Sequence, residues 1–523
     1  MNGLLKFITC GSVDDGKSTL IGHILYDAKQ LYTDQEKALE LDSKVGSRGG
    51  KLDYALLLDG LMAEREQGIT IDVAYRYFTT DRRSFIVADT PGHEEYTRNM
   101  AVGASFAQLA VILIDATQGV LVQTRRHARI CAMMGIRHFV FAVNKMDLAG
   151  YDQATFQAIE TEIQALSQEL KLEDVKIIPL SATEGDNVTK TSPNMTWYTG
   201  GPLLNWLETV EADDQAAEEG FYLPVQRVSR PDHTFRGFQG QIEAGEVKVG
   251  DKILALPSGE EAHVKGIYAA GREAQSAVQG QPVTLQLDRE VDISRGCVLV
   301  KDTRPAITDR FEATILWMDN QPLAGRGDFF LKIGTKQIPG EIRAIDYAID
   351  VNSGEHRPVT TLSKNELAHC QIALAEPVVV DPFQTHRTLG EVLFIDRVTN
   401  ATSACGIVEA VQTASSQETQ TVTPARRARQ KGQDPTLVLT GNLEEARSVE
   451  DRLVRYGRHT MTLETADHAS FAAQLLLKAG LMVLVPKNLL TEAEIKSLAE
   501  KVKVTDLTAS GTLEDLVYTG EFI

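Results

Sequence analysis

The chain has 523 residues, 43% of them apolar and 24% charged, with a formal charge of −19. At ~100–200 residues per domain, that is material for about three or four folded units with cores of their own. The acidic balance argues against an extended nucleic-acid-binding face, and no nucleic-acid partner is expected.

Five cysteines, Cys10, Cys131, Cys297, Cys370 and Cys405, lie far apart with no C-x-x-C pair. Neither a disulfide framework nor a cysteine-based zinc site is indicated. The first residues run straight into an apolar strand, without the basic and long apolar regions of a secretory leader. No apolar run approaches the ~18 residues of a membrane span, so the expectation is a cytoplasmic protein with no membrane partner.

In chain order, the apolar run Leu4-Leu5-Lys6-Phe7-Ile8 leads into Gly11-Ser12-Val13-Asp14-Asp15-Gly16-Lys17-Ser18-Thr19. The segment fits G-x-x-x-x-G-K-[ST] between a strand and a helix, the context that pattern requires. The helix is read from Leu20, Ile24, Ala28 and Leu31, one apolar face at spacings of three and four. Such a loop turns successive backbone N–H groups inward around an anion, and the helix N-terminus adds partial positive charge. Lys17 is placed to reach the β- and γ-phosphates and the Ser18 hydroxyl to ligate Mg²⁺.

Further strands are expected at 84–88, 109–114, 139–143 and 176–180. A helix with Phe156, Ile159, Ile163, Leu166 and Leu170 on one face lies between the last two. Alternating strands and helices define a parallel sheet covered by helices, which binds ligands beyond the carboxyl ends of its strands. Asp89-Thr-Pro-Gly92 follows the second strand: Asp89 suits Mg²⁺ through water, and the Gly92 N–H can approach a γ-phosphate. Asn144-Lys145-Met-Asp147 follows the fourth. The Asp147 carboxylate there can accept from both N1–H and the 2-amino group of guanine, which adenine cannot offer. Ser181-Ala182, after the fifth, is placed to give a backbone N–H to the guanine O6.

These four motifs, in this order, resemble the GTPases of the translation-factor class. The resemblance implies GTP and Mg²⁺ as ligands. It places Gly68-Ile-Thr70-Ile-Asp72 as the first switch, with Thr70 as a second protein ligand of Mg²⁺. It also implies that His93, directly after Asp-Thr-Pro-Gly, orients the attacking water. By the same resemblance Asp14 holds a monovalent cation. Lys17, Thr70 and His93 then form the catalytic set, and Ser18, Thr70 and Asp89 the metal set.

After the acidic stretch 211–219 the pattern changes to short β-type runs with glycine-rich turns, as in 240–245, 249–254 and 283–287. A second such series runs from 311–316 to 406–411, so two small antiparallel barrels are expected. Several longer blocks resemble the GTPase subunit of sulfate adenylyltransferase. They include Ser43–Ser47, Asp53–Leu61, Ala182–Val188, Met195-Thr-Trp-Tyr-Thr-Gly-Gly-Pro202, Val228-Ser-Arg-Pro231, Phe235–Phe238 and Phe394–Thr402. That resemblance covers about residues 1–412. It implies a separate small subunit that binds ATP and sulfate and makes adenosine 5′-phosphosulfate, driven by GTP hydrolysis on this chain. The competing reading is an elongation factor delivering aminoacyl-tRNA.

Residues 413–435 read as a polar linker whose basic cluster, Arg426, Arg427, Arg429 and Lys431, is solvated. Beyond it Pro435-Thr-Leu-Val-Leu-Thr440-Gly opens a new α/β unit. The tail resembles an adenylylsulfate kinase that has lost its site. Glu444 and Ala446 stand at glycine positions of the phosphate loop and Arg447 at the lysine position; an unrelated small α/β unit is the alternative. The expected fold is multidomain: an α/β P-loop G domain (1–212), β-barrels over 213–305 and 306–412, the linker (413–435) and a C-terminal α/β domain (436–523).

Overall fold

The computed structural model describes residues 3–28, 54, 70–212, 220–233, 235–324, 327–412, 422–509 and 512–517. The blocks at Ser43–Ser47 and Asp53–Leu61, Tyr54 excepted, lie outside the described residues, as do Gly68, Ile69 and Leu31.

The amino-terminal sheet has six strands: β1 (Leu4–Cys10), β2 (Ala74–Thr79), β3 (Ser84–Asp89), β4 (Leu109–Asp115), β5 (His138–Asn144) and β6 (Asp174–Pro179), in the order β2-β3-β1-β4-β5-β6. All neighbours run parallel except β2, which pairs antiparallel with β3 at the edge. Strand β4 is buried at every position, as expected where helices cover both faces of a parallel sheet. Among the described residues five helices accompany it: α1 (Lys17–Asp27), α2 (Thr97–Phe106), α3 (Val122–Met133), α4 (Gln153–Leu170) and α5 (Leu203–Thr209). Helix α4 buries Phe156, Ile159, Ile163 and Leu166, the face read from the spacing, and Asp152 caps it by accepting from the Thr155 N–H. Helix α1 stops at Asp27, with Ala28 as its C-cap.

The middle of the chain is antiparallel β-structure. Strands 221–224, 298–301, 252–256, 260–269, 282–287, 237–241 and 227–229 pair in that order, with 272–274 beside 260–269. The next series closes on itself. Strands 327–333, 391–396, 402–411, 307–317, 367–379 and 336–349 pair in sequence, and the last returns to the first as a six-stranded barrel.

This closed barrel is joined to the G domain by apolar packing. Leu316, Met318, Leu367, Phe383, Cys405 and Ile407 share one buried cluster with Met100, Ala101 and Met133 of α2 and α3. Polar contacts edge it: Arg98 donates to the carbonyls of Met318 (3.2 Å) and Thr402 (3.0 Å), and Asn365 Nδ2 donates to the Glu94 carbonyl at 3.0 Å.

The C-terminal unit is a four-stranded parallel sheet in the order 460–462, 482–486, 436–440, 503–506. Part of the stretch expected to be a solvated linker is helical. Residues Pro424–Arg429 form helix α6, started by Thr423, whose side chain accepts from the Arg426 N–H. Arg426 forks onto Asp328 of the closed barrel, with Nε 3.0 Å and Nη2 2.6 Å from its carboxylate oxygens, and lies 3.0 Å from Glu341. The basic cluster is thus partly a clasp, not wholly a solvated face. A bidentate guanidinium–carboxylate pair is directional as well as strong. Among the described residues no helix is long and apolar enough to cross a membrane.

Candidate functional site

The residues expected to bind nucleotide sit where β1, β3, β5 and β6 end. Between β1 and α1 the loop residues Asp14 and Gly16 take left-handed backbone, φ 66° and 89°. Gly16 is the N-cap of α1, and no side chain caps that helix. Its first-turn N–H groups therefore have no partner inside the helix and point into the loop. The Ser12 hydroxyl is buried without a hydrogen-bond partner among the described residues. An open helix N-terminus and an orphaned buried hydroxyl are what a phosphate group satisfies.

Lys17 lies across the loop, its Nζ donating to the carbonyls of Gly11 (3.2 Å) and Ser12 (2.6 Å). Burial pulls its pKa down, against the attraction of Asp89 and Asp15. Gly92 leaves room for it: a Cβ there would stand 2.5 Å from Lys17 Nζ and 2.7 Å from the Gly11 carbonyl oxygen. The Ser18 hydroxyl donates to Asp89 Oδ2 at 2.9 Å, and Thr9 Oγ1 donates to Asp89 Oδ1 at 3.3 Å. Ser18 and Asp89, the expected magnesium ligands, thus converge as hard oxygen donors. This small set suits a cation that keeps waters and takes phosphate oxygens. Thr19 is buried, Val13 and Asp14 are exposed, and Thr70 is half-buried at the head of a segment that Asn99 ties down by donating to the Ile71 carbonyl at 2.8 Å.

At the other end of the site Asn144 links three segments. Its Nδ2 donates to the Asp15 carbonyl (2.7 Å) and its Oδ1 accepts from the Ala182 N–H (2.8 Å). Lys145 pairs with Asp115 at 2.8 Å, holding that carboxyl below its ordinary range together with Thr117. The half-buried Asp147 carboxylate has no hydrogen bond to a described residue. The Ser181 N–H goes to the Asp186 carbonyl (3.0 Å) and the Ala182 N–H to Asn144, so the next donor in the loop, the Thr183 N–H, is the one left without a partner among the described residues.

His93 stands apart. It is exposed, and its Nδ1 accepts from the Glu95 N–H at 3.2 Å, capping the short 3₁₀ turn Glu94–Tyr96. Among the described residues no hydrogen bond joins it to the phosphate loop.

Two further groups act in ways the motifs do not specify, His127 outside them and Asp15 at a variable position of the phosphate loop. His127 on α3 is buried, and its Nδ1 accepts from the Gly11 N–H at 3.1 Å. Burial and nearby Lys17 hold its pKa down to about 3, so the ring is neutral with its proton on Nε2. Asp15 is 3% exposed, and its Oδ2 accepts from the Ser12 N–H at 2.5 Å. Burial raises its pKa to about 6, more than Lys17 lowers it. The unfolded carboxyl ionises near 3.9, so ionisation between pH ~4 and ~6 costs the folded state more than the unfolded, by about 3 kcal/mol at the upper end. Stability from this group is therefore full below pH ~4 and lost as pH rises through 6. An amide keeps the bond to Ser12 and cannot ionise. Asp15→Asn is expected to raise the melting temperature more at pH 8 than at pH 5, and an equal shift at both would refute the assignment.

Comparison with known proteins agrees with this geometry. Residues 2–216 match the elongation factor Tu GTP-binding domain, and residues 310–409 match the GTP-eEF1A C-terminal domain-like family. The chain is 47% identical over 514 residues to the bifunctional enzyme CysN/CysC of Xylella fastidiosa, covering 92% of this chain and 82% of that protein. It is 50% identical over 407 residues to sulfate adenylyltransferase subunit 1 of Shewanella woodyi, covering 77% of this chain and 87% of the relative. A solved structure of Sup35 with GDP shares 22% identity at a TM-score of 0.37, covering 79% of this chain and 95% of its own, too slight a likeness to carry an argument. Fold and site define a multidomain P-loop GTPase of the elongation-factor class. Within that class the chain belongs to the sulfate adenylyltransferase subunit 1 family.

Proposed function

We propose that this chain hydrolyses GTP to drive the adenylylation of sulfate by ATP on a partner small subunit, giving adenosine 5′-phosphosulfate and pyrophosphate. The observation that carries the reading is the convergence, inside a chain 50% identical to a subunit of that enzyme, of an open phosphate loop with an Asn144–Ala182 base-binding corner. Lys17 and the first-turn N–H groups of α1 hold the phosphates, and Asp147 selects guanine. Ser18, Asp89 and Thr70 would hold Mg²⁺, which neutralises charge on the β- and γ-phosphates when bound. His93 orients the attacking water after leaving its capping position.

A route from the site to the barrels is built in. The turn that His93 caps is held by the closed barrel through Asn365 to the Glu94 carbonyl and Lys364 to the Glu95 carboxylate. A movement of this turn on loss of the γ-phosphate therefore alters the grip of the barrel on the G domain, and with it the surface offered to the partner. The test is co-purification with the small subunit from the same genome, followed by pyrophosphate release from ATP and sulfate with and without GTP. GTP-dependent stimulation is expected; GTP-dependent retention of aminoacyl-tRNA instead would favour the elongation-factor reading.

The C-terminal unit we read as a kinase-like fold without phosphotransfer. The match to CysN/CysC reaches into this region, beyond the part shared with the subunit 1 relative. Where a phosphate loop would need a free Gly441 N–H, Glu445 Oε2 accepts it at 2.7 Å, and Asn442 accepts the Glu445 N–H at 2.9 Å. A carboxylate seated there repels phosphate. The intact chain, given ATP and adenosine 5′-phosphosulfate, is expected to form no 3′-phosphorylated product; formation at a catalytic rate would overturn this part.

A further inference from the structure

The Asn144–Asp147 turn is braced from a place that no nucleotide motif marks. Four residues beyond Asp147, Tyr151 has left-handed backbone, φ 57°. Its N–H donates to the Met146 carbonyl at 2.7 Å, and its own carbonyl accepts from Trp197 Nε1 at 3.1 Å. Its hydroxyl crosses to the second base-binding loop and donates to Asp186 Oδ2 at 2.9 Å. Asp186 is 8% exposed; its Oδ1 accepts from Ser192 Oγ at 2.5 Å and from Asn194 Nδ2 at 3.5 Å. The Asp186 carbonyl accepts the Ser181 N–H at 3.0 Å. One residue therefore grips the end of the first loop with its side chain and the start of the second with its backbone.

The opposite side of this frame is the β5–β6 ladder, where Val143 pairs with Pro179. Beyond it the Leu180 N–H donates to the Val143 carbonyl (2.8 Å) and the Met146 N–H to the Leu180 carbonyl (3.2 Å). Ladder and bridge close a ring, with Asp147 on one rail and Ala182–Thr183 on the other.

We propose that the Tyr151–Asp186 bridge is a positioning device for base selectivity, fixing the distance between the Asp147 carboxylate and the Thr183 backbone donor. The preferred ligand is a nucleobase that carries both N1–H and a 2-amino group beside its O6. The proposal rests on the reading of Asp147 as the guanine partner. Burial and the Asp186 carboxylate push the Tyr151 phenol up to about 12, so the hydroxyl remains a donor throughout the physiological range. Asp186, left without it, would hold a buried carboxylate oxygen lacking its donor, and the two loops would be free to spread.

The test compares GDP, inosine diphosphate (which lacks the 2-amino group) and ADP on the intact chain. Tyr151→Phe keeps the ring and removes the hydroxyl. It is expected to weaken GDP about tenfold and inosine diphosphate about twofold or less, and to raise KM for GTP with kcat unchanged. Asp186→Ala, which breaks the bridge from the other side, should contract the GDP-to-inosine-diphosphate ratio in the same way. Ser192→Ala removes the shorter bond on Asp186 Oδ1 and leaves the Tyr151 bridge in place, and should lower the melting temperature while leaving that ratio as in the wild type. A ratio in Tyr151→Phe within twofold of the wild-type value overturns the proposal, whatever the melting temperature does. Equal binding of ADP and GDP by the unsubstituted chain would overturn the guanine reading itself, and is seen without any variant.

Discussion

His93→Ala is expected to lower GTP turnover by about 10²–10³-fold, the loss typical when one group that orients the nucleophile or stabilises the transition state is removed. GTP and GDP affinities should stay within a few-fold, because the residues proposed to hold the phosphates and the base are the loop, Lys17 and the Asn144 corner, none of which His93 contacts by a hydrogen bond among the described residues. The variant has a second effect to be separated from the first. His93 caps the Glu94–Tyr96 turn, so alanine also frees the Glu95 N–H, at a cost of about 1 kcal/mol in local stability. His93→Asn answers this: its side-chain oxygen can accept from the same N–H, and it cannot do the work of an imidazole. If both variants hydrolyse slowly in single-turnover assays at saturating GTP, the loss is chemical. If asparagine restores turnover, His93 is only a cap, and if alanine leaves turnover unchanged the residue has no part in the reaction.

The same histidine shows where sequence reasoning stops. The Asp89-Thr-Pro-Gly92-His93 motif places His93 next to the γ-phosphate site along the chain, but it does not fix the side chain, which the structure has turned onto Glu95. Strands β1, β4 and β5 were legible because each is a short, nearly continuous apolar run, the mark of a strand covered on both faces. The edge strand β2 was not, since Ala74-Tyr-Arg-Tyr-Phe-Thr79 mixes exposed and buried positions and leaves Tyr77 71% exposed. The close of β1 and the loop after it are local, and local patterns are readable. Contacts between distant residues are not. His127 meets Gly11 across 116 positions, Arg426 meets Asp328 across 98, and Tyr151 meets Asp186 across 35. In each case a polar side chain in an ordinary helix or loop acquires its role only from what folding sets against it. The basic cluster after residue 423 shows the cost of judging charge without its partner: Arg426 reads as solvated until Asp328 and Glu341 are known to face it.

Gly16→Ala should weaken GTP and GDP alike by more than about 10²-fold, and two separable terms produce the loss. The backbone at Gly16 is left-handed, φ 89° and ψ 29°, where an L side chain costs about 1–2 kcal/mol. The added Cβ would also stand 2.5 Å from Asn144 Nδ2, close enough that Asn144 must move. That displacement breaks its bonds to the Asp15 carbonyl and the Ala182 N–H, each buried and each worth about 1–3 kcal/mol when its partner is left unpaired. The double-mutant cycle with Asn144→Ala tells the terms apart. With the amide already gone, Gly16→Ala should cost only the backbone strain, so the second substitution is far milder than the first. Fluorescent GDP titrated onto the four proteins measures this directly. Additive losses would mean that Gly16 is required for backbone freedom alone, and that Asn144 does not couple the phosphate loop to the base-binding corner. Binding by Gly16→Ala within about fivefold of wild type would remove both terms, because an uncapped, left-handed helix start would then not be the phosphate cradle.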